Sequence, residues 1–117
     1  MTQKLTRILA GLAVCFAAAC GAPSEYDLCN ASCDAYRKCG YANDSQTANC
    51  HTDCNNNKGK YSDEDADLQR QCKNASDIRK QQADCYAVTS CRSGVTEYTL
   101  ALGSCVLDPQ ANNCIKP

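Results

Sequence analysis

The chain has 117 residues, twelve cysteines, no tryptophan and a formal net charge of −1. Only ten strongly aliphatic side chains, from Leu28 to Ile115, lie beyond residue 20, and their burial alone cannot offset the entropy of ordering about 100 residues. Basic residues such as Lys58, Lys60, Arg70, Lys73, Arg79 and Lys80 are scattered rather than clustered; they read as a solvated helix face, which argues against nucleic acid as a partner.

The first segment is a secretory signal peptide. Lys4 and Arg7 precede a short apolar run from Ile8 to Ala19. A run of about a dozen residues is too short for a transmembrane helix, which needs roughly 20, and suits a cleavable leader. Ala17-Ala18-Ala19-Cys20-Gly21 closes it.

These five residues resemble the processing site of bacterial lipoproteins. The resemblance implies that the chain is cut before Cys20 and that the Cys20 thiol is acylated. The bulky residue usual three positions before the cysteine is absent, since Ala17 stands there with Phe16 one further back. Parity agrees with lipidation. Removing residues 1–19 leaves eleven cysteines, an anomaly in an exported chain; tying up Cys20 leaves ten that can all pair. The division expected is therefore a signal peptide over 1–19, a lipidated cysteine and tether over 20–24, and a disulfide-rich domain over 25–117. Four residues reach at most about 13 Å, so an acylated Cys20 would hold the domain close against the bilayer.

Ser24-Glu25-Tyr26-Asp27 reads as a helix start, with Ser24 as N-cap and Asp27 three residues later. This first helix should run to about Cys39 and stop at Gly40, with Cys29, Cys33 and Tyr36 on one face. A second, short helix capped by Asp44-Ser45 should reach Cys54, and the stretch from Asn55 to Lys60 reads as a polar loop. Ser62 and the acids Asp63, Glu64, Asp65 and Asp67 mark the N-terminus of a third helix running to about Ser90. Asn74-Ala75-Ser76-Asp77 is a candidate break in it. The segment 95–107 fits a fourth helix better than a strand, and Asp108-Pro109 should stop it. An irregular tail held by Cys114 follows. The expectation is an all-α fold: a small disulfide-stapled bundle of three to four helices after a cleaved signal peptide.

Cysteine chemistry dominates the rest. Cysteine exceeds a tenth of the segment after Cys20, which marks an oxidised, exported scaffold. Cys29-x3-Cys33 and Cys50-x3-Cys54 are twin pairs one turn apart. Two antiparallel helices can join them as two rungs, Cys33 with Cys50 and Cys29 with Cys54. The approach this needs is closer than ordinary helix packing, and Ala31, Ser32, Ala35 and Ala48 are small enough to permit it. Over Cys29–Cys54 the pattern resembles the twin CX3C helical hairpins of the small mitochondrial intermembrane-space chaperones; only the hairpin geometry is carried over. The whole pattern is similar to small cysteine-rich helical lipoproteins of predatory and soil bacteria. Cys39, Cys72, Cys85, Cys91, Cys105 and Cys114 are further disulfide candidates. The Cys33-x5-Cys39 and Cys85-x5-Cys91 echo suggests a staple from the first helix to the third, while the remaining connectivity stays open.

No Cys-x2-Cys occurs, so the usual zinc, thioredoxin-like and haem-attachment motifs are missing. His51 is the only histidine and reads as a surface side chain with no nucleophile motif nearby. No cofactor or metal and no catalytic residue is expected. The expected function is that of a non-enzymatic, membrane-anchored interaction or structural domain of the cell envelope. Its partners would be a lipid bilayer, reached through acylated Cys20, and an envelope protein. Gly21, in place of Asp, resembles cargo sorted to the outer membrane. One alternative is a secreted disulfide-rich effector or protease inhibitor binding through Asn55 to Tyr61. A weaker one is an envelope redox or holdase protein using the twin CX3C pairs.

Overall fold

The computed structural model describes residues 22–117. The signal segment and the lipidation candidate Cys20 lie outside the described residues. Among those described there are five helices and no strand: α1 Glu25–Lys38, α2 Asp44–Asn56, α3 Lys58–Gln71, α4 Ala75–Val88 and α5 Val95–Asn113. The chain is a small all-helical bundle stapled by five disulfides. Helix α1 is central and packs on α2, α3 and α4, while α5 packs on α4.

Local sequence explains both ends of α1. Asp27 N–H donates to Ser24 Oγ at 3.1 Å and Ser24 N–H donates to Asp27 Oδ2 at 2.9 Å, which completes a capping box. At the other end Gly40 takes φ +81°, where a side chain would be strained. The Tyr41 N–H then reaches back to the Tyr36 carbonyl at 2.9 Å, closing the helix in the manner of a Schellman turn. Helix α2 is capped by Asn43, one residue before the expected Asp44, through a reciprocal pair of bonds with Gln46.

Three expectations fail, each for a tertiary reason. The polar stretch from Asn55 to Lys60 is not a loop. Helical bonding carries nearly through it, with only Asn57 marking the α2–α3 junction. Gly59 alone costs about 1 kcal/mol in a helix, and contacts to α1 counter that cost: Lys58 Nζ lies 4.8 Å over the Tyr26 ring, and the Tyr61 hydroxyl donates to Cys29 Sγ at 3.4 Å. The acids 63–67 therefore sit inside α3 rather than at its start, and Ser62 is no cap.

The long third helix is instead two, α3 and α4, which raises the count to five. It breaks at Cys72, three residues ahead of α4, where the backbone is extended and bonded to Cys114. The tail fills the gap: Lys73 N–H donates to the Ile115 carbonyl at 2.7 Å, Ile115 N–H to Asn74 Oδ1 at 2.9 Å and Asn74 Nδ2 to the Asn113 carbonyl at 2.8 Å. Leu68, Cys72, Ala75 and Ile78 form a buried cluster under this crossing.

Pro109 does not stop α5, which runs through it to Asn113. Proline removes one helix donor, but its ring is buried here, and the following turn is tied down by Cys114 and by Asn113 Nδ2 donating to Gln81 Oε1 at 2.7 Å.

Candidate functional site

Three features stand out: a sulfur ladder in the α1–α2 hairpin, an ion network under α1, and a groove between α1 and the end of α4.

In the hairpin, Cys29 is bonded to Cys54 and Cys33 to Cys50, each with Cα atoms 5.8 Å apart. Of the small residues expected along the seam, Ala31 and Ala48 are exposed. The helices are joined at the sulfurs themselves, and Thr47 of α2 is buried. Among the described residues, Cys33, Cys50 and Cys54 form the cluster tight enough to suggest a metal, with donor atoms within 4.8 Å of one another. All three are consumed in disulfides, and a disulfide sulfur is not the thiolate that binds metal. The other bonds are Cys39–Cys91, Cys72–Cys114 and Cys85–Cys105. All ten candidate cysteines are thus crosslinked.

His51, read as a surface side chain, is 36% exposed and is held by two hydrogen bonds. It is part-buried on the hairpin, with Nδ1 2.5 Å from Asn30 Oδ1 and Nε2 2.7 Å from Asp34 Oδ1. The Asn30 amide nitrogen donates to the Tyr26 carbonyl at 3.2 Å, which aims its oxygen at the ring. Both ring nitrogens are engaged in tying α2 to α1. Among the described residues the ring's hydrogen-bond partners are an amide oxygen and a carboxylate.

Arg79 is the feature that reading the sequence misses. It is buried on α4, with Nη1 2.8 Å from Glu25 Oε2 and Nη2 2.9 Å from Asp65 Oδ1. Nη1 also donates to Gln82 Oε1 at 2.8 Å, and Gln82 Nε2 donates to the Val106 carbonyl at 2.8 Å. One guanidinium therefore links α1, α3, α4 and, through Gln82, α5. Among the described residues no buried side-chain nitrogen or oxygen lacks a partner, so the network is structural chemistry fully satisfied. A helical stripe containing Ala75, Ile78, Arg79 and Gln82 was the available signal: positions i, i+3, i+4 and i+7 share one face, but two of the four are polar.

Burial holds the Glu25 carboxyl above its ordinary pKa; Arg79 pulls it down, and Glu64 and Asp65 push it further up. The folded protein thus grips this proton more tightly than the unfolded chain does. The Glu25 contribution to stability is full below the ordinary carboxylate value and is lost as pH rises through the raised pKa. Urea unfolding of wild type and Glu25→Gln between about pH 4 and 7 should show wild type losing stability relative to the variant as pH rises. A difference that stays flat or grows in favour of wild type would contradict the assignment.

The groove has a volume of about 440 Å³ and is lined by Ala31 and Ala35 of α1, Ala83, Tyr86 and Ala87 of α4, and Tyr98 of α5. Burial, with a smaller push from Glu25, raises the Tyr86 pKa to about 12, so its hydroxyl stays protonated there. Tyr98 is itself packed edge-on to Tyr36, with ring centroids 5.4 Å apart. At the groove rim Val88 is 80% exposed, and on α5 Leu100 and Leu107, two turns apart on one face, are 68% and 64% exposed.

No helix among the described residues is long and apolar enough to cross a membrane. No family model, curated protein or solved structure matches the chain.

Proposed function

We propose that the protein is a lipid-anchored component of the cell envelope, held at the outer membrane through acylated Cys20, and that it acts as a non-enzymatic interaction or structural domain. The observation that carries this reading is sulfur parity. Every cysteine from Cys29 to Cys114 has a partner within the bundle, so none is left to oxidise with Cys20, and an unpaired exported thiol calls for another use. The five-residue processing site supplies that use. The exposed Val88 side chain at the alanine-lined groove, and the exposed Leu100 and Leu107 on α5, support an interaction role. The inhibitor alternative loses its binding loop, because Asn55 to Tyr61 is helical on both sides of Asn57.

Replacing Cys20 with alanine is the direct test. The wild-type protein should partition into membranes and detergent, with an intact mass above that of the chain cut before Cys20. The variant should lose both the added mass and the membrane fraction. Unchanged fractionation of the Cys20→Ala protein would end this reading.

A further inference from the structure

The two hairpin disulfides touch each other. Cys33 Sγ and Cys54 Sγ, which belong to different bonds, lie 3.6 Å apart. Neither carries a proton, so this is a sulfur–sulfur van der Waals contact rather than a hydrogen bond. The same two cysteines are the buried members of their pairs, at 2% and 0% exposure, whereas Cys29 and Cys50 are only partly buried. An incoming thiolate attacks in line with the bond it breaks. Cys50 and Cys29 are the partly exposed ends of their bonds, so attack there makes the buried sulfur the leaving one.

We propose that the hairpin is a thiol-exchange site at which a dithiol reductant moves the crosslink onto the buried diagonal, forming Cys33–Cys54 and releasing Cys29 and Cys50 as thiols. In one route a reductant thiolate attacks Cys50 Sγ. A mixed disulfide forms at Cys50, and Cys33 departs with the electron pair. The Cys33 thiolate then attacks Cys54 Sγ, makes Cys33–Cys54 and expels Cys29. The leaving Cys29 thiolate is met by the Tyr61 hydroxyl, already 3.4 Å from that sulfur, and a donor to the departing thiolate favours the step. The second thiol of the reductant displaces Cys50 and leaves as the oxidised, closed disulfide. Entry at Cys29 is the mirror route: Cys54 is released, attacks Cys33 and expels Cys50. Both routes end at one product. Two electrons and two protons pass from the dithiol to Cys29 and Cys50, and the hairpin keeps one bond throughout. The partly exposed thiols are then able to form a mixed disulfide with a partner protein.

Single-cysteine variants generate the attacking thiol without any reductant. In Cys50→Ser the unpaired sulfur is at Cys33 by origin. Labelling with a maleimide and mapping peptides without reduction should find the label on Cys29 and a Cys33–Cys54 crosslink. In Cys29→Ser the label should fall on Cys50, with the same crosslink. Label on Cys33 or Cys54 in either variant, with the original neighbouring bond intact, overturns the proposal; circular dichroism establishes that the variant read is folded. The wild-type protein supplies the same reading if both variants misfold. It is titrated with dithiothreitol, quenched in acid and mapped for species retaining one hairpin bond. Cys33–Cys54 in those species supports exchange, and retained Cys29–Cys54 or Cys33–Cys50 refutes it.

Discussion

Arg79→Leu should destabilise the oxidised protein by about 3–5 kcal/mol, the cost of removing one partner from a buried ion pair. The size follows from what is left behind. Glu25 and Asp65 face the vacated space with side chains only 22% and 23% exposed, and Gln82 loses the donor to its oxygen. The leucine fills volume but answers none of these groups. Arg79→Lys should fall between the two proteins, because a single ammonium cannot reproduce the planar fork that meets Glu25, Asp65 and Gln82 together. Urea unfolding at neutral pH with all five disulfides intact is the measurement. A loss below about 1 kcal/mol, typical of exposed pairs, would mean that water reaches the network and that α1 is not held through it.

Removal of the Cys39–Cys91 bond is the second large effect. Its two ends are 52 residues apart, the longest separation of the five, against 17 for Cys33–Cys50. Chain entropy then assigns about 4 kcal/mol to the first and about 3 kcal/mol to the second. The double variant Cys39→Ser/Cys91→Ser should therefore unfold more readily than Cys33→Ser/Cys50→Ser, by about 1 kcal/mol in denaturant titrations. The local geometry keeps a non-covalent trace of the lost bond. Tyr41 Oη accepts from Arg92 N–H at 2.9 Å and donates to the Arg92 carbonyl. Equal losses in the two double variants would show that native contacts, rather than the freedom of the unfolded chain, set the worth of these bonds.

The parts of the fold that depend on near neighbours could be read from the residues. Ser24, Asp27 and Gly40 bound α1 because capping and left-handed turns are decided within a few positions. The all-helical class followed from spacing in the same way. The i, i+4 repeat of Cys29 and Cys33, and of Cys50 and Cys54, puts four sulfurs on two facing stripes. Spacing alone says nothing of which sulfurs meet among Cys72, Cys85, Cys105 and Cys114, since those contacts depend on how α3, α4 and the tail cross.

Distance in sequence explains the misreadings too. The break at Cys72 is stabilised by residues some 40 positions away, through Asn74–Asn113 and Lys73–Ile115 hydrogen bonds. Pro109 was expected to end a helix by a local rule, and the bond from Cys72 to Cys114 holds the turn beyond it. Arg79 was assigned to water because charge usually means exposure. Its two carboxylate partners come from α1 and α3, and no window of α4 contains them.

The order of the disulfides along the chain has a consequence for proteolysis. The bonds Cys29–Cys54 and Cys33–Cys50 close within residues 29–54, while Cys72–Cys114 and Cys85–Cys105 close within residues 72–114. Cys39–Cys91 alone joins the two sets. A peptidase that clips the backbone once within α3 would leave two pieces, each internally sewn, hanging together by a single sulfur link. The durability of the clipped molecule would then depend on whether that one link meets a reductant.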